Sequence, residues 1–379
     1  MRITVAAGGT GGHIYPALAV VRRLSASRAD VAVDWIGGHR GLERDLVPGA
    51  GLPLTRLSLR SLRTVDLSIA TILDPLRLIV SVPQAILALR RLRPDVIYLT
   101  GGYVAIPVLA AAAILRIPTL LWEGNRLAGR SVRATARLAT LRAVTFDGTR
   151  EQLPEPLFVT GTPIREVGDR DRSAARARLA LRSDEDVILV FGGSQASRRL
   201  NTAVSEALSE LVTRCTVLHI TGAEGIDAAE VGREALPVAV RDRYRPIAYL
   251  ETDMDAALAS ADLLVGRAGS STIAEAAAFG LPLVVVPYPH AAAHQRANAA
   301  QVVEAGGALL IADEDFDGAA LLRAADLLGQ PRIEAMRAAC LALARPGAAE
   351  ATVQLLEALA DRRALPTPAG VEALTREAA

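Results

Sequence analysis

The sequence contains no lysine, so all 42 basic residues of the 379-residue chain are arginine. A Walker-type phosphate loop and Schiff-base catalysis both depend on a lysine amine, and both are therefore excluded. Aromatic residues make up only 3% of a chain that is 51% hydrophobic, so its cores must be built from Ala, Leu, Val and Ile. Arginine suits bidentate contacts with phosphate and also lies flat on apolar surfaces.

Cysteine and net charge are also low. Cys215 and Cys340 lie far apart and form no metal or redox motif, so we expect two buried thiols in a reducing compartment. A net charge of +1 gives no general attraction to nucleic acid, and we expect no such partner. No signal-peptide pattern and no apolar run long enough to span a bilayer are present. We therefore expect a protein that is cytoplasmic or peripheral to a membrane.

Residues 262–299 carry the strongest local pattern. An apolar strand at 263–265 stops at Arg267-Ala268-Gly269, and a helix over 271–279 follows at once. Backbone N–H groups at such a helix start favour an anion. Glu275 lies one helical turn after Ser271, where a carboxylate can accept bonds from ribose hydroxyls. The pattern fits a nucleotide diphosphate site and equally an ordinary strand–turn–helix with a capping serine and a solvated glutamate.

A second glycine-rich turn opens the chain. A strand at 3–7 leads into Gly8-Gly9-Thr10-Gly11-Gly12-His13, and a helix is predicted from Pro16. The glycines allow close backbone approach to a ligand, but the spacing is not that of a dinucleotide fold. His13 is the titratable side chain of this turn and suits proton transfer near neutral pH. A lone histidine is more often a structural hydrogen-bonder, but its place in this turn favours catalysis.

Short apolar strands alternate with helices throughout, which predicts an α/β fold with parallel sheets covered on both faces. Residues 161–165 are predicted to cross from one domain to the next. After them, a strand and a Gly192-Gly193-Ser194 turn repeat the strand and glycine-rich turn that open the chain. We therefore predict two similar doubly wound domains. Polar residues that follow strands, such as Glu123 and Asn125, are expected to gather at ligand sites. The tail from 363 has a weak pattern and is expected to be partly disordered.

Residues 57–93 mix apolar residues and arginine with few acids. Pro75 and Pro83 are predicted to break any single long helix. Such a surface could rest on anionic lipid headgroups, or its apolar stripe could lie in the core of an amphipathic helix pair. His290 and His294 are spaced as zinc ligands, but a third ligand is not evident, so we predict no metal site.

Five motifs in this order make the sequence resemble the MurG family, the bacterial enzymes that convert lipid I to lipid II in peptidoglycan synthesis. The motifs are GGTGGHIYP at 8–16, GGYVAIP at 101–107, GTPIR at 161–165, FGGSQ at 191–195 and RAGSSTIAEAAAFGLPLVVVPYPHAAAHQRANA at 267–299. The resemblance covers residues 1–362. It implies the GT-B fold, in which two doubly wound Rossmann-like domains face a central cleft.

The implied domains are a lipid acceptor and membrane-association domain at 1–160, a UDP-GlcNAc-binding domain at 161–345, a helix at 346–362 that returns to the first domain, and a tail at 363–379. The implied catalytic base is His13, with Glu123 in reserve. The implied donor-binding residues are Thr10, Gly11, Gly12, Asn125, Arg165, Ser194, Leu250, Ser270, Ser271, Thr272, Glu275 and Gln295. The implied acceptor-diphosphate residues are Thr10, Gly11, Gly12, His13, Gly101, Gly102 and Tyr103.

The resemblance implies inverting transfer of N-acetylglucosamine from UDP-GlcNAc to lipid I, with no cofactor. It implies as partners the undecaprenyl-diphosphate-linked acceptor, an anionic membrane surface and other cell-wall synthesis proteins, and it implies a location at the cytoplasmic face of the membrane. Alternatives are a related transferase with another lipid acceptor, a UDP-GlcNAc 2-epimerase, and a catalytically inactive subunit that binds a nucleotide sugar or a lipid.

The chain departs from the family pattern at two places. Trp122-Glu123-Gly124-Asn125 replaces the usual His-Glu-Gln-Asn, and Ala196-Ser197 replaces Gly-Ala. The first change removes a histidine and an amide near the expected sugar site.

Overall fold

A computed structural model describes residues 1–39, 41–59, 69–168, 170–193, 197–250, 253–289 and 292–377, with side chains described for the same ranges except 69–79 and 292. The chain divides into two compact units. The first unit comprises residues 1–165 and 345–379, and the second comprises residues 166–344.

The first unit is built on a parallel sheet that has seven strands among the described residues, in the order β3-β2-β1-β4-β5-β6-β7. β4 and β5 are buried at every position. Such uninterrupted burial requires helices on both faces of the sheet. The strands are β1 (Arg2–Ala6), β2 (Ala32–Gly37), β3 (Leu54–Arg56), β4 (Val96–Leu99), β5 (Thr119–Glu123), β6 (Leu141–Val144) and β7 (Leu157–Val159).

Two apolar cores cover the two faces of this sheet. One lies under α3 and α4, with Leu89 and Val108 fully enclosed, and the other lies under α1 and α15, with Leu24 and Leu355 fully enclosed. The helices of this unit are α1 (Gly11–Ser27), α2 (Glu43–Gly49), α3 (Ile69–Leu92), α4 (Gly102–Leu115), α5 (Arg130–Thr135), α15 (Ala348–Ala360) and α16 (Pro368–Arg376), with 3-10 turns at Ala136–Leu138 and Asp147–Gln152.

The second unit repeats this plan with a parallel sheet in the order β10-β9-β8-β11-β12-β13. Its strands are β8 (Val187–Phe191), β9 (Thr216–Ile220), β10 (Tyr244–Ile247), β11 (Leu263–Gly266), β12 (Leu283–Val285) and β13 (Ala308–Leu310). Its helices are α6 (Arg172–Arg178), α7 (Arg198–Arg214), α8 (Ile226–Glu234), α9 (Val238–Arg241), α10 (Met254–Ser260), α11 (Ser270–Ala278), α12 (Ala292–Glu304), α13 (Gly318–Ala325) and α14 (Pro331–Leu343).

The predicted pair of doubly wound parallel-sheet domains is confirmed, and each sheet reverses its strand order at one point. The reversal lies between β1 and β4 in the first unit and between β8 and β11 in the second. Ligands of doubly wound folds gather beyond the carboxyl ends of the strands at this point. The two glycine-rich turns identified in the sequence follow β1 and β11 and therefore occupy these positions.

Several element predictions were wrong. α3 continues from Ile69 to Leu92 through Pro75 and Pro83, because packing of its buried Ala85 and Leu89 outweighs the loss of backbone bonds at the prolines. Val238–Arg241 forms a short helix directly before β10.

Other corrections concern the ends of the chain and of its elements. α1 begins at Gly11, so His13 lies in the first helical turn and not in the loop. Ala308–Leu310, in an alanine-rich region between two helices, forms an edge strand. The tail forms α16, whose Val371 is buried in the first unit.

Candidate active site

The start of α1 forms the first candidate anion site. Gly9 adopts a left-handed backbone with φ of 95°, which turns the chain between β1 and the helix. Thr10 occupies the N-cap, and its carbonyl accepts from the backbone N–H of His13 at 3.0 Å. The first turn of a helix has N–H groups without intrahelical acceptors, so residues 10–12 present amides at the positive end of a 17-residue helix.

His13 is held by the turn that follows β4. Its Nδ1 lies 2.5 Å from the carbonyl oxygen of Thr100, and the Thr100 hydroxyl donates to the His13 carbonyl at 2.9 Å. A carbonyl can only accept, so Nδ1 carries the proton and Nε2 is the basic nitrogen. Gly102 has φ of 74°, and a Cβ there would lie 3.6 Å from Nε2. The structure thus brings together the predicted residues His13 and Gly102 at the switch point.

Tyr103, assigned to the acceptor diphosphate by resemblance, is largely buried. Its side chain is 9% exposed, and its hydroxyl donates to Glu43 at 2.9 Å. Burial, followed by the Glu43 carboxylate, raises the pKa of this phenol, so it stays a donor. Sequence reasoning gave no role to Glu43, whose carboxylate is fully enclosed. The one available signal was an acidic residue within a glycine-rich segment, 37–43.

Glu123 and Asn125 form one hydrogen-bonded turn after β5. Glu123 is 3% exposed, and its Oε1 accepts from the backbone and side-chain nitrogens of Asn125, both at 2.9 Å. Its Oε2 accepts from the backbone N–H of Gly129 at 2.8 Å. Both carboxylate oxygens therefore accept hydrogen bonds within the turn. Glu123 is better placed to position Asn125 than to remove a proton from a substrate.

Arg165 belongs to the first unit, although it was grouped with the donor domain in the sequence. Its guanidinium carbon lies 6.0 Å from the centre of the Tyr15 ring in α1. The planar guanidinium of an arginine carries a fork of N–H donors whose geometry matches that of a phosphate.

The start of α11 forms the second candidate anion site. Gly269 is its N-cap, and Ser270, Ser271 and Thr272 form the first turn, with Ser270 and Thr272 buried. The Oγ atom of Ser271 is buried and has no hydrogen-bond partner among the described residues. A buried hydroxyl without a partner is costly, so a phosphate oxygen at this helix start would satisfy it. Glu275 is half-buried one turn further along the same helix.

Arg267, to which sequence reasoning gave no role, fixes the turn before α11. It is 6% exposed, donates to the Val286 carbonyl at 3.0 Å, and pairs with Asp313. Its guanidinium also lies 5.3 Å from the centre of the Tyr288 ring. The signal available in the sequence was a charged residue directly after a buried strand.

α12 holds the adjacent loop. The Oε1 atom of Gln295 accepts from the backbone N–H of Tyr288 at 2.8 Å, and buried Asn298 donates to the Ala268 carbonyl at 3.3 Å. Leu250, assigned to the uracil pocket, is half-buried against the core beneath α10 and α11. Gln295 therefore lies next to the loop that follows β12, with its carbonyl used and its amide nitrogen as the donor.

Some predicted residues lie outside the described residues, namely Ser194, Glu251, Thr252 and His290. In the part of the chain that the structure describes, no group of three or more His, Cys, Asp or Glu side chains could hold a metal ion. His219 is a core residue, with Nδ1 2.8 Å from the Tyr244 hydroxyl and Nε2 3.0 Å from the Asn201 side-chain oxygen.

Comparison with known proteins matches both units. Residues 3–144 match the glycosyltransferase family 28 N-terminal domain, and residues 187–351 match the family 28 C-terminal domain. The UDP-N-acetylglucosamine--N-acetylmuramyl-(pentapeptide) pyrophosphoryl-undecaprenol N-acetylglucosamine transferase of Moorella thermoacetica is 38% identical over 378 residues, covering 94% of this chain and 98% of that protein. The chain belongs to the MurG family.

Further comparisons agree with MurG membership. The enzyme of the same name from Burkholderia multivorans is 38% identical and covers 94% of this chain and 96% of its own. The crystal structure of Acinetobacter baumannii MurG superposes with a TM-score of 0.72 at 27% identity, over 94% of this chain and 99% of that one. A UDP-N-acetylglucosamine 2-epimerase from Listeria monocytogenes shares the fold with a TM-score of 0.66 at 14% identity. The predicted GT-B fold class is confirmed.

The structure gives a physical account of the departures from the MurG pattern. Trp122 is fully buried in the core under α1 and α15, and its indole N–H donates to the Gly161 carbonyl at 3.0 Å. The residue at 122 is thus a core residue of this chain. Ser197 caps α7 by accepting from the backbone N–H of Leu200, whereas Ala196 lies outside the described residues.

Proposed function

We propose that the chain transfers N-acetylglucosamine from UDP-GlcNAc to the MurNAc 4-hydroxyl of lipid I, which gives lipid II for peptidoglycan synthesis. The observation that carries the chemistry is the 2.5 Å contact between His13 Nδ1 and the Thr100 carbonyl. It sets a basic Nε2 beside the amide-rich start of α1, at the strand-order reversal of the first unit. A base and an anion cradle in one place suit a hydroxyl acceptor that carries a diphosphate.

The donor half of the reaction is assigned to the second unit. UDP's phosphates would meet the start of α11 at Ser270, Ser271 and Thr272, where the buried Ser271 hydroxyl is without a partner among the described residues. Glu275 would accept the ribose hydroxyls one turn along, and Leu250 would contact the uracil. Gln295 would donate its amide N–H to the sugar, since its carbonyl already binds Tyr288.

Four further donor roles rest on the resemblance to MurG and on nearby geometry. Asn125, positioned by Glu123, would contact the sugar, and Ser194 the diphosphate. Arg165, which lies over the Tyr15 ring, would bind phosphate through its guanidinium. Residues 10–12 would serve the acceptor's diphosphate, together with Gly101 and Gly102, and would contact the donor at the reacting end.

The proposed chemical step is a single displacement. His13 Nε2 takes the proton of the acceptor hydroxyl as its oxygen attacks the anomeric carbon. The bond to UDP breaks from the opposite side, so the configuration inverts. The helix start of α11 and Arg165 stabilise the charge that grows on the departing diphosphate. His13 is the better base because both oxygens of Glu123 accept bonds from its own turn.

The surface formed by α3 and α4 is proposed to contact the membrane. Leu87 is 67% exposed and Ile114 is 62% exposed, and Arg90, Arg91 and Arg116 lie exposed on the same two helices or directly after them. Apolar side chains flanked by arginine fit an anionic lipid surface. Residues 60–68 of the predicted stretch, and the side chains of 69–79, lie outside the described residues.

Within the described residues, no helix is both long and apolar enough to cross a bilayer. From the resemblance to MurG and the exposed surface of α3 and α4, we propose peripheral binding at the cytoplasmic face, where lipid I is met beside other cell-wall synthesis proteins. The first unit would bind the acceptor and the membrane, and the second the donor.

The test is to mix the purified protein with UDP-GlcNAc and either lipid I or diacylglycerol in detergent, and to follow UDP release and product mass. We expect release with lipid I and a product heavier by one N-acetylglucosamine. Transfer to diacylglycerol alone would favour another lipid acceptor, and binding of UDP-GlcNAc without turnover would favour a silent subunit.

A further inference from the structure

Glu43 is a fully buried carboxylate that joins three separate segments of the first unit. Its Oε2 accepts from the backbone N–H of Gly9 at 2.8 Å, and its Oε1 accepts from the backbone N–H of Gly38 at 3.1 Å. Oε1 also accepts from the Tyr103 hydroxyl at 2.9 Å. The segments follow β1, β2 and β4, so one side chain connects the glycine-rich turn to two neighbouring strand ends.

The surrounding glycines make room for this carboxylate. A Cβ on Gly8 would lie 2.6 Å from Glu43 Oε1, and a Cβ on Gly37 would lie 2.8 Å from its Cγ. A Cβ on Gly41, which has φ of 146°, would also collide with the carboxylate. The enclosure is therefore shaped around Glu43 and admits no larger neighbour.

Folding stability alone does not explain a carboxylate in this enclosure. A buried charge is costly, and an apolar residue of similar volume is often at least as stabilising. What the carboxylate provides is the geometry of the turn, since charge-assisted bonds are short and directional. Gly9, which it holds, is the residue that redirects the chain into α1.

We propose that Glu43 is a positioning residue that presets the turn at 8–12 to receive the acceptor's diphosphate. This inference rests on the proposed function. His13 has a separate anchor, because Thr100 binds both its ring and its carbonyl. Weakening the hydrogen bonds of Glu43 therefore weakens diphosphate binding by the turn at 8–12 without displacing His13. A contact made equally in ground state and transition state changes KM and leaves kcat nearly constant.

The test uses the full-length protein with lipid I and saturating UDP-GlcNAc. In Glu43→Gln, the amide nitrogen faces at least one of the three donors and cannot accept from it. We expect the KM for lipid I to rise about tenfold, as for the loss of a charged hydrogen bond, and kcat to stay within about threefold. Tyr103→Phe, which removes one bond and keeps the ring, should give a smaller rise. UDP affinity should not change in either variant.

The matched control is Val47→Ala, because Val47 is fully buried in the same helix, α2, and its side chain has no atom that can hydrogen-bond to the turn. It should lower the melting temperature and leave the acceptor KM unchanged. The inference is overturned if Glu43→Gln keeps the wild-type KM, if its kcat falls with KM constant, or if Val47→Ala raises KM equally. Should Glu43→Gln not fold, an unchanged KM in Tyr103→Phe overturns it.

Failure of the proposed function looks different. It would appear as a wild-type protein that binds UDP-GlcNAc but transfers nothing to lipid I, whereas failure of this inference appears as an active wild type with equally active variants.

Discussion

Stability of the second unit should fall when the medium becomes mildly acidic, because of His219. Its Nε2 lies 3.0 Å from the Asn201 side-chain oxygen and its Nδ1 lies 2.8 Å from the Tyr244 hydroxyl. An amide oxygen can only accept, so Nε2 carries the proton and Nδ1 accepts from the tyrosine. Protonation of Nδ1 would remove the acceptor to which the tyrosine hydroxyl donates and would bury a charge. Burial lowers the pKa of His219 from 6.5 to about 4.

The size of the stability loss follows from the difference between the folded and unfolded pKa values of His219. Because the folded pKa lies below the unfolded value, the unfolded chain takes up a proton below pH 6.5 that the folded chain does not. The contribution is therefore complete above pH 6.5 and is lost as the pH falls toward 4. At 1.36 kcal/mol per pKa unit, the loss is about 2 kcal/mol at about pH 5 and about 3 kcal/mol when complete.

Urea unfolding of wild type and His219→Gln, measured at about pH 7 and about pH 5, tests this reasoning. The variant loses stability at both pH values, but it cannot gain the proton, so its further loss on acidification should be about 2 kcal/mol smaller. The carboxylates titrate alike in both proteins. Their contribution therefore cancels when the stability loss of the variant is subtracted from that of the wild type. Equal losses in wild type and variant would refute the assignment of a neutral buried His219.

Three other changes separate the proposed roles. His13→Ala should lower turnover by about 10²–10⁴-fold in a UDP-release assay and leave UDP affinity unchanged, because a general base is removed. Glu275→Ala should weaken UDP binding in calorimetry by about 1–3 kcal/mol through the loss of charged hydrogen bonds to ribose. Leu87→Asp should abolish co-sedimentation with anionic vesicles and spare turnover on a detergent-solubilised acceptor. Val231→Asp, at an apolar residue 72% exposed in the second unit, is its matched control.

Each of these three predictions has a result that would contradict it. Near-normal turnover in His13→Ala would exclude it as the base, and unchanged UDP affinity in Glu275→Ala would exclude the ribose contact. Vesicle binding that survives Leu87→Asp, or that Val231→Asp also removes, would move the membrane contact away from α3.

The fold class could be predicted from the sequence because each strand–turn–helix unit has a local pattern. The apolar strands before 8–13 and before 267–269 were evident, and so were the helices that follow them. β13 could not be predicted, because its three residues lie among alanines and gain their strand pairing only from β12. The unbroken α3 was missed for a similar reason, since its packing against α4 is a long-range effect.

In the candidate sites too, residues within a local pattern could be predicted and residues with distant partners could not. His13 and Glu275 were found because each lies next to a recognisable turn. Glu43 and Arg267 were missed because their partners are distant in sequence: Glu43 binds Tyr103, and Arg267 pairs with Asp313. Which acidic residue will be buried depends on which loops the strand order brings together, and no local pattern contains that information.

The return of the chain to the first unit has a consequence for its synthesis. β1 leaves the ribosome first, but the core beneath α1 includes Ala351, Leu355 and Val371, and Arg23 pairs with Glu350 at 2.6 Å. The second unit is a continuous segment, so all its contacts are available earlier in translation. The part of the protein made first should therefore be completed last, with α1 carrying an uncovered apolar face until the final helices emerge.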